Sequence, residues 1–449
     1  MNARGLINGF SKLSKDEKLK MVSELFHHPE SVIRELKSFW HSDPKKQSLF
    51  EEFSENTVSN FYFPYGIAPN FLINGTKYMV PMVIEESSVV AAASSSAKFW
   101  AERGGFQAEV VSTVKIGQVH FIWKGDGKKL AKVMPELKKE LLNGTRSITT
   151  NMEKRGGGIL DIDLVNQTED IPDYYQLKVS FDTVDSMGAN FINSVLEELA
   201  RILKNFLINQ PSFDDQEKDC EVIMSILSNY TPDCRVKVFV ECDIKEFAEC
   251  EPGMDADRFA WKFQKAVEIA QVDPHRATTH NKGIFNGIDA LALATGNDFR
   301  AIEAAGHTYA CRNGKYESLT RLSLDNNVFH YELDIPLAMG TVGGLTTLHP
   351  MAKFSLDLLG NPDARELMVI AASVGLANNY GALKSLVTKG IQVGHMKMHL
   401  LNILNFYHAT QDEKAKAIEF FNNKKVSFSS VTDYLNSIRS ESLLGIKDS

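Results

Sequence analysis

The 449-residue chain holds only five cysteines, Cys220, Cys234, Cys242, Cys250 and Cys311, and no two form a CxxC pair. An odd, scattered set argues against a disulfide framework or a zinc ribbon and reads as reduced thiols. Long apolar runs are also missing. The longest nearly apolar stretches, Val89 to Ala93 and Leu367 to Ala377, fall well short of the roughly 20 residues that cross a bilayer. The opening MNARGLINGFSKLSKDEK has no apolar h-region, so it is not read as a secretory signal, and a cytoplasmic location is expected. Positive charge is in deficit: 49 Lys and Arg stand against 57 Asp and Glu, a net −8, which removes any basis for general binding to nucleic acid or anionic membranes. Neither GxGxxG nor HExxH occurs, and there is no internal repeat or low-complexity segment.

What is present is a folded composition, 43% hydrophobic and 24% charged, on a chain too long for one ordinary core, so two or three domains are expected. Ser14 and Glu17 form a capping-box pattern ahead of a helical EKLKMVSELF. Glu86 to Gly104 reads as a small-residue helix closed by glycine, whose backbone something can approach closely. VSTVKIGQVHFIW, YQLKVSFDTV and CRVKVFVEC alternate as half-buried strands, with a helix between Met187 and Phe206. These point to a compact α+β unit between about 110 and 225. Asp255 to Val272 and Arg365 to Val387 are predicted helices. Thr278 to Gly344, dense in Gly, Asn and Asp, is predicted to be mainly loops. The tail from His395 to Ser449 reads as a helical, charged, separate cap.

Four places could carry chemistry. In IEESSVVAAAS, Glu85 or Glu86 precedes a helix; by default such a carboxylate is solvated and dipole-favoured, but burial would make it a proton donor. In DPHRATTHNKGIFNG and ATGNDFRAIEAAGH, His280, Asn281, Lys282, Asn286, Asn297 and Asp298 gather in what reads as two loops. A lone Lys is ordinarily a surface residue, whereas such a cluster tends to form one network. In GHMKMH, His395 and His399 share a helical face as metal ligands would, yet no third ligand is evident, so no metal is expected and one histidine acting as acid or base is the simpler reading. DSMGAN at 185–190, KRGGGILDIDL at 154–164 and GTVGGLTTLHP at 340–350 are glycine clusters that could receive an anion or a flat ring, although turns alone explain each.

Taken together, ENTVSNFYFPYGIAPNFLING, VIEESSVVAAAS, DSMGAN, HRATTHNKGIFNGID, ATGND, PLAMGTVGGLTTLHP and GIQVGHMKMH resemble the hydroxymethylglutaryl-CoA reductases, most of all the soluble bacterial class II form. The likeness runs in order from about Gly9 to Asn402. It implies an α+β fold: a large, mainly helical domain for the CoA thioester (1–110 and 225–390), an inserted small non-Rossmann α+β domain for the dinucleotide (111–224), and a C-terminal helical flap (391–449). It implies reduction of 3-hydroxy-3-methylglutaryl-CoA to mevalonate and coenzyme A through a hemithioacetal and mevaldehyde, or the reverse, using two NADPH or NADH, in a homodimer with sites at the subunit interface. Matched residue by residue, it makes Glu86, Lys282, Asp298 and His395 catalytic and points to Arg276, Ser88 and Asn286 for substrate. For the dinucleotide it points to Asp185, Ser186, Met187, Gly188, Ala189, Asn190 and Gly343. On this reading Lys282 stabilises the thioester oxyanion, His395 protonates the leaving thiolate, Glu86 or Lys282 protonates the aldehyde oxygen, and Asp298 holds Lys282 charged. Arg146, Lys154 and Arg155 lean the cofactor toward NADPH. The chain departs from the pattern at Ser59, Ser87 and Leu401, where Gly, Pro and Arg are usual. The alternative, a silent acyl-CoA-binding homologue, would have no use for the intact set of four.

Overall fold

The computed structural model describes residues 6–248, 253–388, 400–422, 424 and 426–444. Residues 1–64 form one compact unit and 65–449 another. In the first, helices α1 (Lys15–Ser23), α2 (Pro29–Ser38) and α3 (Pro44–Glu51) begin at Ser14, Pro29 and Asp43 signals. The Ser14–Glu17 capping box is formed in full. Lys15 lies 3.3 Å over the Trp40 ring and pairs with Glu51, while Ser59 Oγ donates to the Leu36 carbonyl at 2.6 Å. A glycine at 59 could not make that bond, so this departure has a local structural use.

The second unit is α+β with antiparallel sheets. Strands β1 (Tyr65–Ile73) and β2 (Thr76–Val83) form a hairpin that leads into α4 (Ser87–Ala101). A four-stranded sheet runs β3 (Gln107–Thr113), β8 (Cys234–Asp243), β10 (Val328–Pro336), β9 (Thr320–Ser323). The other runs β5 (Gly158–Asn166), β6 (Tyr174–Asp182), β4 (Lys115–Trp123), β7 (Cys220–Leu227). CRVKVFVEC is thus a strand as expected, but it pairs in the first sheet and not with the strands of 115–227. Helices α5 (Gly127–Gly144), α6 (Arg146–Glu153) and α7 (Ala189–Asn209) accompany the second sheet. Helices α8 (Ala256–Val272), α9 (Pro274–Ala294), α10 (Phe299–Ala310), α11 (Leu345–Leu348), α12 (Pro350–Leu358) and α13 (Ala364–Val387) accompany the first. The tail carries α14 (Gln411–Phe420) and α15 (Phe428–Leu444) after helical residues at 400–406.

Apolar burial gathers into three clusters. One spans residues between Ala68 and Phe106 and between Cys234 and Val387. A second, from Val119 to Cys220, is built by the alternating faces of β4 and β6 against α5 and α7. The third links Leu400, Ile403 and Leu404 to Ala417, Val431 and Leu435.

The stretch after Thr278 is not loop but helix up to Ala294. Asp273 accepts from the His275 amide and Pro274 takes the first helical position, a strong start signal. The Gly and Asn content that suggests loops serves helix packing instead. A Cβ on Gly287 would lie 2.6 Å from the Val374 carbonyl oxygen of α13, and one on Gly375 would meet Ile288 and Ile284 at 2.9 and 3.0 Å. Asn281 is buried and fixed by a bond from its Nδ2 to the Glu317 carbonyl and one from the Leu319 amide to its Oδ1. Polar residues that would solvate a loop here satisfy buried backbone groups. Gly287→Val therefore forces α9 and α13 apart and should lower stability by about 1–3 kcal/mol, read as a shifted urea midpoint; an unchanged midpoint would show that the contact is not tight.

Candidate functional site

Glu86 is the N-cap of α4, with its side chain free of the capping role. That leaves the carboxylate for other partners: Ser88 Oγ donates to its Oε1 at 3.0 Å, and Lys282 Nζ lies 3.2 Å from its Oε2. The pair faces solvent, with the Lys282 side chain 61% and the Glu86 side chain 33% exposed, so by itself it adds little stability. Its setting is a cleft of about 690 Å³ between α4, α9 and α13. Thr279, Lys282 and Asn286 fall at i, i+3 and i+7 on α9 and line it in a row, and Arg276 lines it one turn earlier. Ala91, Ala92, Ser95 and Ser96 of α4 form part of the wall, which gives the small-residue helix its use. Burial pushes the half-buried Arg276 guanidinium down, with the Tyr331 phenol acting against the shift.

Residues beside Lys282 hold it in place. His280 is buried, its Nε2 2.7 Å from Thr320 Oγ1. Burial, with the Arg276 charge, pushes it down to about 3, so it is neutral and structural. Asn379 donates to the His280 carbonyl at 2.7 Å and accepts from the Tyr331 hydroxyl. Asn378, Asn379 and Lys384 on α13 also line the cleft. The pattern reading missed them; the signal was Asn-Asn-Tyr in the middle of a helix of small apolar residues.

Glu86, Ser88, Arg276, Lys282 and Asn286 thus meet in one cleft. Asp298 does not line it. It caps α10, accepting from the Arg300 and Ala301 amides, and pairs with Arg300 Nε at 3.0 Å. Three turns of α9 follow Lys282, a rise of about 18 Å to Ala294, so one chain sets these two residues far apart. Asp298 instead stands beside the other predicted corner. Asn297 Oδ1 accepts from the Gly340 amide at 2.8 Å, and a Cβ on Gly340 would lie 2.5 Å from the Met187 nitrogen. Thr341 donates to the Asp185 carbonyl at 2.8 Å, and Ser186 bridges to Val342. Gly188, at φ 91°, caps the 21-residue α7, leaving the amides at Ala189 and Asn190 at the positive end of a long dipole, which suits a diphosphate. Gly343 is open, with nothing near a built Cβ. His395, His399 and the side chain of Ser87 lie outside the described residues. Leu401 is half-buried among the helical residues 400–406. Among the described residues no cluster of metal-ligating side chains occurs and no helix is long and apolar enough to cross a membrane. Cys220, Cys234 and Cys311 are free thiols.

The family model for hydroxymethylglutaryl-coenzyme A reductase matches residues 14–400. The 3-hydroxy-3-methylglutaryl-coenzyme A reductase of Archaeoglobus fulgidus is 35% identical over 97% of this chain and 95% of its own. A probable reductase of the same name from Borreliella burgdorferi is 32% identical over 93% of each. Among solved structures, the class II 3-hydroxy-3-methylglutaryl-CoA reductase of Streptococcus pneumoniae bound to NADPH is similar at a TM-score of 0.70, with 38% identity over 85% of this chain and 99% of that one.

About two turns of α9 past Lys282, Asp289 forms with Glu303 of α10 a carboxyl pair that the sequence reading did not single out. Burial and the neighbouring Glu303 carboxyl, hydrogen-bonded to it, push Asp289 up to about 8. Its Oδ1 is buried without a hydrogen-bond partner. Since the folded state holds this proton more tightly than the unfolded chain, the associated stability is complete below about pH 4 and is lost as pH rises toward 8. Asp289→Asn, neutral throughout, should therefore gain in unfolding temperature relative to the parent as pH is raised from 5 to 9. A gap that stays constant with pH would show that Asp289 is ionised in the fold.

Proposed function

Because the chain belongs to the hydroxymethylglutaryl-coenzyme A reductase family and is thereby an oxidoreductase, we propose that it interconverts 3-hydroxy-3-methylglutaryl-CoA and mevalonate plus coenzyme A with two nicotinamide dinucleotides, as a cytoplasmic homodimer. The observation that carries this reading is the Lys282–Glu86 pair in a cleft that also holds Arg276. An ammonium and a carboxyl in contact can share the proton economy of a reaction that makes an oxyanion twice. The Lys282 ammonium meets the thioester oxygen as hydride arrives at carbon. Glu86, oriented by Ser88, exchanges a proton with Lys282 or with the aldehyde oxygen at the second reduction. Arg276 offers a planar fork to the substrate's free carboxylate, and Asn286, one turn after Lys282, donates to the reacting carbonyl. His395 protonates the departing thiolate. The dinucleotide supplies hydride; the α7 N-terminus takes its diphosphate, and Gly343 leaves room beside the ring.

A second copy completes the site. Asp298, which the chain reaches only after the rise of about 18 Å from Lys282 to Ala294, reaches the partner's cleft if the faces carrying it meet. Exposed Val342, Leu345, Leu348, Met351 and Phe354 give that face the apolar character of a subunit contact. The three hydrophobic clusters support reading residues 65–449 as thioester domain, dinucleotide domain and flap. For the dinucleotide we favour NADPH. A Cβ on Gly157 would lie 2.5 Å from the Asp182 carbonyl oxygen, so the turn carrying Lys154 and Arg155 adjoins the Asp185–Asn190 turn.

Following absorbance at 340 nm with hydroxymethylglutaryl-CoA and either NADPH or NADH tests the reaction and the preference together. Lys282→Ala should cost about 10²–10³ in kcat or more with an unchanged circular dichroism spectrum; turnover near the parent's would sink the assignment. Co-expressing Lys282→Ala with Asp298→Asn should restore about a quarter of parental activity, because half the dimers are mixed and each mixed dimer has one intact site. Activity no higher than that of either variant alone would mean the sites lie within single chains.

A further inference from the structure

Lys115 is 4% exposed. An ammonium that far from water is expensive unless its hydrogen bonds are met inside the protein, and burial pushes it down while Cys234, Asp182 and Asp185 act the other way. It is the first residue of β4, one residue after β3 ends, where the chain crosses from one sheet to the other. Its Nζ donates to Thr183 Oγ1 at 2.5 Å and to the Ser186 carbonyl at 2.8 Å, and Thr183 Oγ1 donates to that same carbonyl at 2.7 Å. The turn so gripped is strained. Val184 sits at φ 49°, a left-handed conformation that a β-branched residue rarely adopts and that persists only where surroundings impose it. A bond from the Val184 amide to Asp182 Oδ1 at 2.7 Å, with Thr113 Oγ1 on Asp182 Oδ2 at 2.7 Å, holds the other side.

We infer that Lys115 is a positioning residue for dinucleotide binding: its buried ammonium clamps residues 183–186 in the strained turn that seats Met187 and Gly188 against the Gly340–Val342 loop. This rests on the reading that the 185–190 turn receives the dinucleotide. The clamp acts at one remove. It fixes the Ser186 carbonyl; Ser186 in turn pairs with Val342, and Gly188 sets where α7 begins. Without it Val184 relaxes to negative φ, and the α7 N-terminus and the glycine loop lose their register. The thioester cleft on α4, α9 and α13 shares no residue with this clamp, so its affinity is left alone.

Lys115→Met keeps length and apolar bulk and deletes the donors. Titrated by NADPH fluorescence, it should bind roughly tenfold more weakly, the loss of a preorganised site, while its calorimetric affinity for coenzyme A thioester stays at the parent's value. Adding Val184→Gly should recover most of the loss, since glycine takes φ 49° without strain. A lysine that merely stabilised the fold would not be rescued by relieving strain at 184. Should Lys115→Met fold poorly, Thr183→Val, which removes the bridging hydroxyl, should show the same selective loss in smaller degree. Unchanged NADPH binding, equal loss for both ligands, or no rescue by glycine would each overturn the inference. Amide exchange over 184–188 separates this from the functional reading: it should quicken roughly tenfold in Lys115→Met whether or not NADPH binds, and unchanged exchange there refutes the clamp. A parent protein that binds no dinucleotide would instead refute the cofactor reading.

Discussion

Where Gly287 of α9 lies against the Val374 carbonyl of α13, no side chain separates the two helices. From the other direction the Ile284 and Ile288 side chains of α9 pack onto Gly375, where a Cβ has no room. Helices brought this close cannot rotate about their axes without collision, so the rotational setting of α9 is fixed by packing and not by anything in the cleft. With that setting fixed, His280 and Asn281 must turn inward, where Thr320, the Glu317 carbonyl and Asn379 receive them, and Lys282 must turn outward to Glu86. The Lys282–Glu86 pair is thus presented by a rigid rod. That suits the role proposed for Lys282, meeting charge as it develops, because donors that need no reorganisation stabilise a transition state most.

The same rod imposes a separation. A straight helix that carries Lys282 in its middle rises about 18 Å from it to Ala294 before the chain reaches Asp298 beyond its end. Asp298 is also committed locally, capping α10 and pairing with Arg300, beside the Asp185–Met187 turn and the Gly340 loop. On the proposed reading each chain therefore holds two half-sites, a thioester cleft and a dinucleotide corner. If one chain had to unite them, α9 would have to break. Docking two copies leaves the helix intact, which is why a composite site is the less demanding solution.

Much of this was legible in the residues. Period-two alternation marked β4, β6 and β8 because each has one face in an apolar core, and Ser14 with Glu17 marked the start of α1 because capping is local chemistry. Motif likeness found Glu86, Ser88, Arg276, Lys282 and Asn286 before anything placed them in one cleft. The misreading of 278–294 as loop has a definite cause. Gly and Asn are turn formers by local preference, but local preference cannot register that a second helix will press on Gly287 or that a buried carbonyl will await Asn281. Partners distant in sequence decide such positions. The pairing of β8 with β3 and β10, and the approach of Glu303 to Asp289, are of the same kind.

The buried ionisable groups bear on how a chain with net charge −8 would receive the two anionic ligands proposed for it. His280 is kept neutral by burial beside Arg276, which leaves the guanidinium as the cation at that end of the cleft. Burial and the neighbouring Glu303 carboxyl push Asp289 up, so the pair of carboxyls beside α9 carries less negative charge than two free ones would. Lys115 is held among backbone and hydroxyl oxygens, where its charge organises a turn and is not offered to solvent. In each case desolvation removes or confines a charge, so the cations left facing the proposed ligands are Arg276, Lys282 and Lys384 at the cleft and Lys154 with Arg155 near the 185–190 turn. Attraction at each site is then set by these neighbours within about a Debye length, and the acidic surface farther away is screened.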